Sequence, residues 1–92
     1  SLICDGDPLV VEFINNQNGN FESIKDLEER DSGSFAVINW REQLMLPRTF
    51  ITNEISFSDR KWKLIYDGSE NARILKATSN GQVITYQCKS SN

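Results

Sequence analysis

Two cysteines, thirteen carboxylates, ten cations and no histidine are what this 92-residue sequence offers to chemistry. Without histidine the commonest metal ligand and the commonest general base are both missing, and two cysteines alone cannot build a structural zinc site. Cys4 and Cys88 do not form a Cys-x-x-Cys pair, so a redox-active dithiol is not indicated. With no histidine partner, neither reads as a thiol nucleophile. The carboxylates are numerous, yet no pair stands out by spacing as an acid–base couple. Asn18, Gly19 and Asn20 are too short a run for a phosphate-binding loop. Arg60, Lys61 and Lys63 surround Trp62 as a basic–aromatic cluster. A solvated hairpin with Trp62 turned inward accounts for it better than a single-stranded nucleic-acid site. A net charge of −3 also disfavours nucleic acid. The residues argue against an enzyme and imply neither metal nor cofactor.

The placement of the cysteines is more informative than their number. They stand fourth from the start and fifth from the end of the chain. A bridge between them would close a ring of 85 residues, worth about 4 to 5 kcal/mol in the chain-entropy model. Tying the first strand to the last is how a small closed β-structure pins its seam; the alternative is two unrelated buried thiols. A bridge implies an oxidising compartment. Ser1 opens with neither a charged n-region nor an apolar h-region, which reads as a mature or trimmed chain from which an export signal has gone. No stretch approaches the roughly 20 apolar residues that span a bilayer.

The elements that must position these residues are mostly strands. Apolar side chains make up 38% of the chain, enough for one small core. Leu9, Val11 and Phe13 alternate after Pro8, and the Asn-rich run 15–20 ends that strand. Phe21 to Asp31 has the only helical spacing (Phe21, Ile24, Leu27), and reads either as one short helix near residues 21–30 or as a charged excursion. From Ser34 onward strand and turn repeat: 35–40, 44–46 stopping at Pro47, 50–52, 55–58, 62–66, 72–77 and 82–88. Asp59–Arg60, Asp67–Gly68 and Asn80–Gly81 supply turns. Such spacing means an all-β sandwich or barrel, and closure into a barrel hides unpaired edges most economically. Leu9, Val11, Phe13, Val37, Leu44, Leu46, Leu64 and Ile74 are the expected core. Charge is divided along the chain: residues 1–31 carry a net −6 and residues 32–92 a net +3.

Several residues resemble a known family. Cys4, Asp5, Pro8, Leu9, Val11, Asn15 and Asn16 look like the opening strand of the bacterial membrane-bound and periplasmic inhibitors of c-type lysozyme. The likeness continues through Gln43, Leu44, Phe57, Ser58, Asp59, Tyr66, Gly68, Glu70 and Ala72. It ends at Cys88, where that family has its closing cysteine, with an apparent insertion over 22–33. The resemblance implies one domain over residues 1–92, a flattened antiparallel barrel of about eight strands, and a periplasmic or outer-membrane location, often as a lipoprotein. It implies a c-type lysozyme, or a related cleft-bearing protein, as partner. The lipid anchor would lie outside this sequence. In the family a Ser-Gly-x-x-Tyr loop and a later Lys-Gly enter the lysozyme cleft. Here those positions read Asn53, Glu54, Ile55, Ser56 and Phe57, then Asp67 and Gly68. Asn53, Glu54, Ser56, Phe57, Asp67 and Gly68 are thus the lysozyme-binding residues that the resemblance implies. Glu54 replaces a glycine, so a left-handed backbone there would be penalised. Asp67 would meet the cleft's carboxylates with a like charge.

The expectation is therefore an exported binding module that plugs a muramidase cleft through the loop at 50–57 and the hairpin at Asp67. The acidic residues 22–31 would steer it towards a basic lysozyme. The alternative is an envelope-associated structural or interaction domain that keeps the barrel but not the inhibition. A carrier using the barrel interior is a third reading, and a barrel of eight short strands is about filled by its own side chains.

Overall fold

Left-handed backbone positions decide where this chain turns. Asp5 and Gly6 both have positive φ, 49° and 79°, as a two-residue hairpin reversal requires. They join β1 (Leu2–Cys4) to β2 (Asp7–Gln17). In the computed structural model, which describes residues 2–17, 20–23, 34–51, 53–66 and 71–90, β3 (Asn20–Ser23) and β4 (Ser34–Trp40) follow. Arg41, with φ 55°, turns β4 into β5 (Glu42–Ile51), and Asn53, with φ 63°, precedes β6 (Glu54–Ser58). Asp59 Oδ1 accepts from the N–H groups of Lys61 and Trp62 at 2.8 and 2.7 Å, a side-chain turn that opens β7 (Trp62–Tyr66). After β8 (Asn71–Ala77), Gly81 at φ 78° closes the Thr78–Gln82 reversal into β9 (Val83–Ser90).

All pairings are antiparallel, and eight strands close a ring in the order β1-β9-β8-β7-β6-β5-β4-β2, with β1 returning to β2. β3 lies outside this ring and extends the far end of β2. Two long strands change partner. β2 pairs with β1 at residues 7–9 and with β4 at 10–15. β5 pairs with β4 over 42–47 and with β6 over 48–51. Pro47 sits at that changeover, so the strand does not stop there as its missing N–H suggests. The donor it lacks falls where one ladder ends and the next begins.

The interior is built by alternation. Leu9, Ala36, Ile38, Trp40, Leu44, Leu46, Phe57, Leu64, Ala72 and Ile74 are buried, and Val11 and Phe13 pack half-buried against them. Val37 corrects the sequence reading. Ala36, Ile38 and Trp40 take the interior, and Val37 lines a recess on the outer face with Ile14 and Met45. Residues 35–38 are apolar at every position, so period-2 alternation had no polar partner to choose a face. At the expected helix, Asn20–Ser23 form strand β3 through pairs such as Asn16 with Phe21, and residues 24–30 lie outside the described residues. Among the described residues there is no helix.

Cys4 and Cys88 are bridged, directly opposite each other between β1 and β9 with Cα atoms 4.2 Å apart. The packing makes a discriminating prediction. Leu64→Ala should cost about 2 to 5 kcal/mol in urea unfolding, as a core truncation that leaves a cavity. Val37→Ala should cost less than about 1 kcal/mol, as a change on the outer face. Equal losses at the two sites would mean that the β4 faces are reversed.

Candidate functional site

The β5–β6 hairpin is short and heavily cross-linked. Phe50 pairs with Ile55 and Ile51 with Glu54, leaving two residues to reverse the chain. Asn53 takes the left-handed conformation there, one that Asn tolerates better than most side chains. The hydroxyls of Thr49 and Ser58 hydrogen-bond across the hairpin. Arg48 Nη1 donates to the Ser56 carbonyl at 3.3 Å, and its guanidinium lies 5.5 Å from the Phe50 ring and 5.6 Å from the Phe57 ring. Burial pulls the Arg48 pKa below the usual arginine value, against the opposing charge of Glu54. Glu54 Oε2 stands 3.3 Å from Lys63 Nζ, which ties the hairpin to β7. At the end of this braced ribbon Phe50 is 63% exposed and Ile51 43%.

The structure separates the family-implied site residues. Asn53 is exposed at the tip, and Glu54 is half-buried in its ion pair. The left-handed strain expected at Glu54 is carried by Asn53 instead. Phe57 is a fully buried core residue whose ring meets Phe13 at 5.5 Å. Ser56 is also fully buried, on the opposite side of the strand. Neither presents side-chain surface to a partner. Asp67 and Gly68 lie outside the described residues. Their neighbour Tyr66 pairs with Ile55, so β7 ends at the same end of the barrel as Asn53. Phe50 and Ile51 fall inside the expected loop at 50–57 but are not singled out as contacts, and Arg48 lies outside it. The available signal was an adjacent aromatic–aliphatic pair just before a turn, which a half-buried strand cannot bury on both sides.

At the opposite end another polar cluster is wholly structural. Arg41 Nε is 2.6 Å from Asp7 Oδ2, and Nη2 is 3.0 Å from Asp5 Oδ2 and 3.3 Å from the Asp5 carbonyl. The guanidinium stacks 4.5 Å from the Trp40 ring and 5.7 Å from that of Tyr86. Trp40 Nε1 donates to the Cys4 carbonyl at 3.2 Å. Hydrogen bonding to Asp7, then to Asp5, raises the Arg41 pKa. While both carboxylates are ionised, this raised cation pKa stabilises the fold below the arginine range, and the contribution is lost in strong alkali.

Three buried atoms on the braced hairpin, Ser56 Oγ, Arg48 Nε and Glu54 Oε2, have no hydrogen-bond partner among the described residues, and Glu54 Oε2 meets Lys63 as an ion pair only. Removing an orphaned hydroxyl relieves a desolvation cost. Ser56→Ala should therefore leave the unfolding free energy within about 1 kcal/mol or raise it. A loss above about 2 kcal/mol would show that the hydroxyl is satisfied in solution.

The chain belongs to the DUF8671 family, described as a domain of unknown function, whose sequence model matches residues 12–88. That match runs from within β2 to Cys88 and leaves β1 outside it. No curated protein and no solved structure matches the chain.

Proposed function

We propose that this member of the DUF8671 family is an exported, non-catalytic binding module that docks the tip of its β5–β6 hairpin in the cleft of a c-type lysozyme or related muramidase. The observation that carries this reading is the pair of exposed apolar side chains, Phe50 and Ile51, at the end of a hairpin braced by Arg48, Glu54 and Lys63. A large apolar side chain held in water on a rigid element is what an interface anchor looks like before its partner arrives. The closed barrel and the Cys4–Cys88 bridge agree with what the resemblance to lysozyme inhibitors implies. The bridge also favours an oxidising compartment, here the periplasm or the outer membrane, with any lipid anchor outside this sequence. The acidic residues between Glu22 and Asp31 would accelerate encounter with a basic lysozyme. Because Ser56 and Phe57 are buried, direct contact falls to Phe50, Ile51 and Asn53, with Asp67 and Gly68 as the second element.

The second reading, an envelope interaction domain without inhibitory activity, is favoured by one observation: Asp67 stands where the lysozyme inhibitors that the sequence resembles have a lysine. Calorimetric titration against a c-type lysozyme separates the two. Phe50→Ser should weaken binding at least tenfold, about 1.4 kcal/mol. Asp67→Lys should tighten it by a similar factor, by replacing repulsion with a charge-assisted contact. Binding that Phe50→Ser leaves unchanged would place the contact on another surface. No binding by the wild type or by Asp67→Lys would favour the envelope domain.

A further inference from the structure

The outer face of β7, β8 and β9 holds a groove that the hairpin reading leaves unused. Ser58, Lys61, Lys63, Leu75, Ala77 and Val83 line about 240 Å³ of it. It lies where β6 and β8 end and β7 and β9 begin, the end of the barrel away from Asn53. The floor is apolar, and Val83 is 58% exposed, while Ile84, in line with Lys76 and Trp62, turns to the other face of the sheet. The rim is cationic. Arg60 and Lys61 are exposed and make no ion pair among the described residues. Lys63 shares its charge with Glu54. Asp59, the acid on this rim, has Oδ1 turned onto the N–H groups of Lys61 and Trp62. The other acids at this end, Asp5, Asp7 and Glu42, sit at the β1–β2 and β4–β5 turns, where Arg41 bridges Asp5 and Asp7.

This arrangement selects among anions. A single-stranded nucleic acid needs an exposed aromatic platform, but Trp62 is buried and covered by Lys76 Nζ, 5.1 Å from its ring. An exposed branched aliphatic set beside unpaired cations suits an anionic lipid interface, where the cations meet phosphate and the apolar group enters below it. We propose that this groove seats the barrel on an anionic phospholipid surface, with Arg60 and Lys61 holding the phosphodiester and Val83 entering the interface.

Sedimentation with phosphatidylcholine vesicles, with and without phosphatidylglycerol, tests this on the disulfide-intact protein. Binding should require phosphatidylglycerol and weaken as salt is added. Each neutralised cation should cost roughly fivefold in partitioning, so Arg60→Gln with Lys61→Gln should cost about 25-fold. Val83→Ser should weaken binding severalfold with an unchanged circular dichroism spectrum. Lys89→Gln, at the far end of β9, should change it less than about twofold, because its charge lies off the rim. Equal partition onto both vesicle types, or an equal loss from Lys89→Gln, would overturn the proposal. So would displacement by soluble glycerol phosphate, which identifies a free phosphate ester as the ligand. Tighter binding to polyglutamate than to vesicles would overturn it in favour of an acidic polypeptide. None of these outcomes bears on lysozyme binding, since Phe50 lies at the other end.

Discussion

Closure of the ring depends on three residues. β1 is only Leu2–Cys4, yet it is the strand that joins β2 to β9. Without it those two strands would become open edges, an aggregation hazard in so small a domain. So short a ladder offers little pairing of its own, and everything around it acts to hold it. The Cys4–Cys88 bridge fixes its end to β9, and the Trp40 indole binds the Cys4 carbonyl. Arg41 then clasps Asp5 and Asp7, on either side of the turn that leaves β1. A ring of this size contributes on the order of 4 kcal/mol through the unfolded chain, a large part of the 5 to 15 kcal/mol typical of a whole domain.

That clasp is what lets the rest of the barrel carry exposed apolar groups. A hairpin that ends in Phe50 and Ile51 is a liability on a yielding scaffold and an anchor on a rigid one. Its cross-links run inward from the tip: Arg48 to the Ser56 carbonyl, Thr49 to Ser58, Glu54 to Lys63. The two ends of the barrel therefore differ in chemistry. One presents a braced apolar tip; the other pairs a neutralised acidic corner around Arg41 with a cationic groove around Lys61.

The fold class was legible because turn chemistry and strand length agree along most of the chain. Asn80–Gly81 and Asp59 mark reversals that the structure contains, and the terminal cysteines announced the seam. Asp5–Gly6 is as strong a turn signal as either, and the sequence reading left it out. What failed were faces and continuity. Val37 lies in an unbroken apolar run, and Pro47 sits at a changeover between two ladders that only the tertiary topology creates. The candidate site was legible by region and not by residue. The resemblance to lysozyme inhibitors pointed to Ser56 and Phe57, but period-2 alternation buries both, one on each side of β6. The tip passed to Phe50 and Ile51, whose exposure depends on where the strand ends.

Amide hydrogen exchange on the oxidised and the reduced protein tests the central dependence on β1 most directly. If three clasped residues close the ring, reduction under native conditions should strip protection first from Leu2–Cys4, from residues 7–9 of β2 and from the facing end of β9. Protection in β4, β7 and β8 should outlast it. Unchanged protection in β1 after reduction, or simultaneous loss in all strands, would contradict the account.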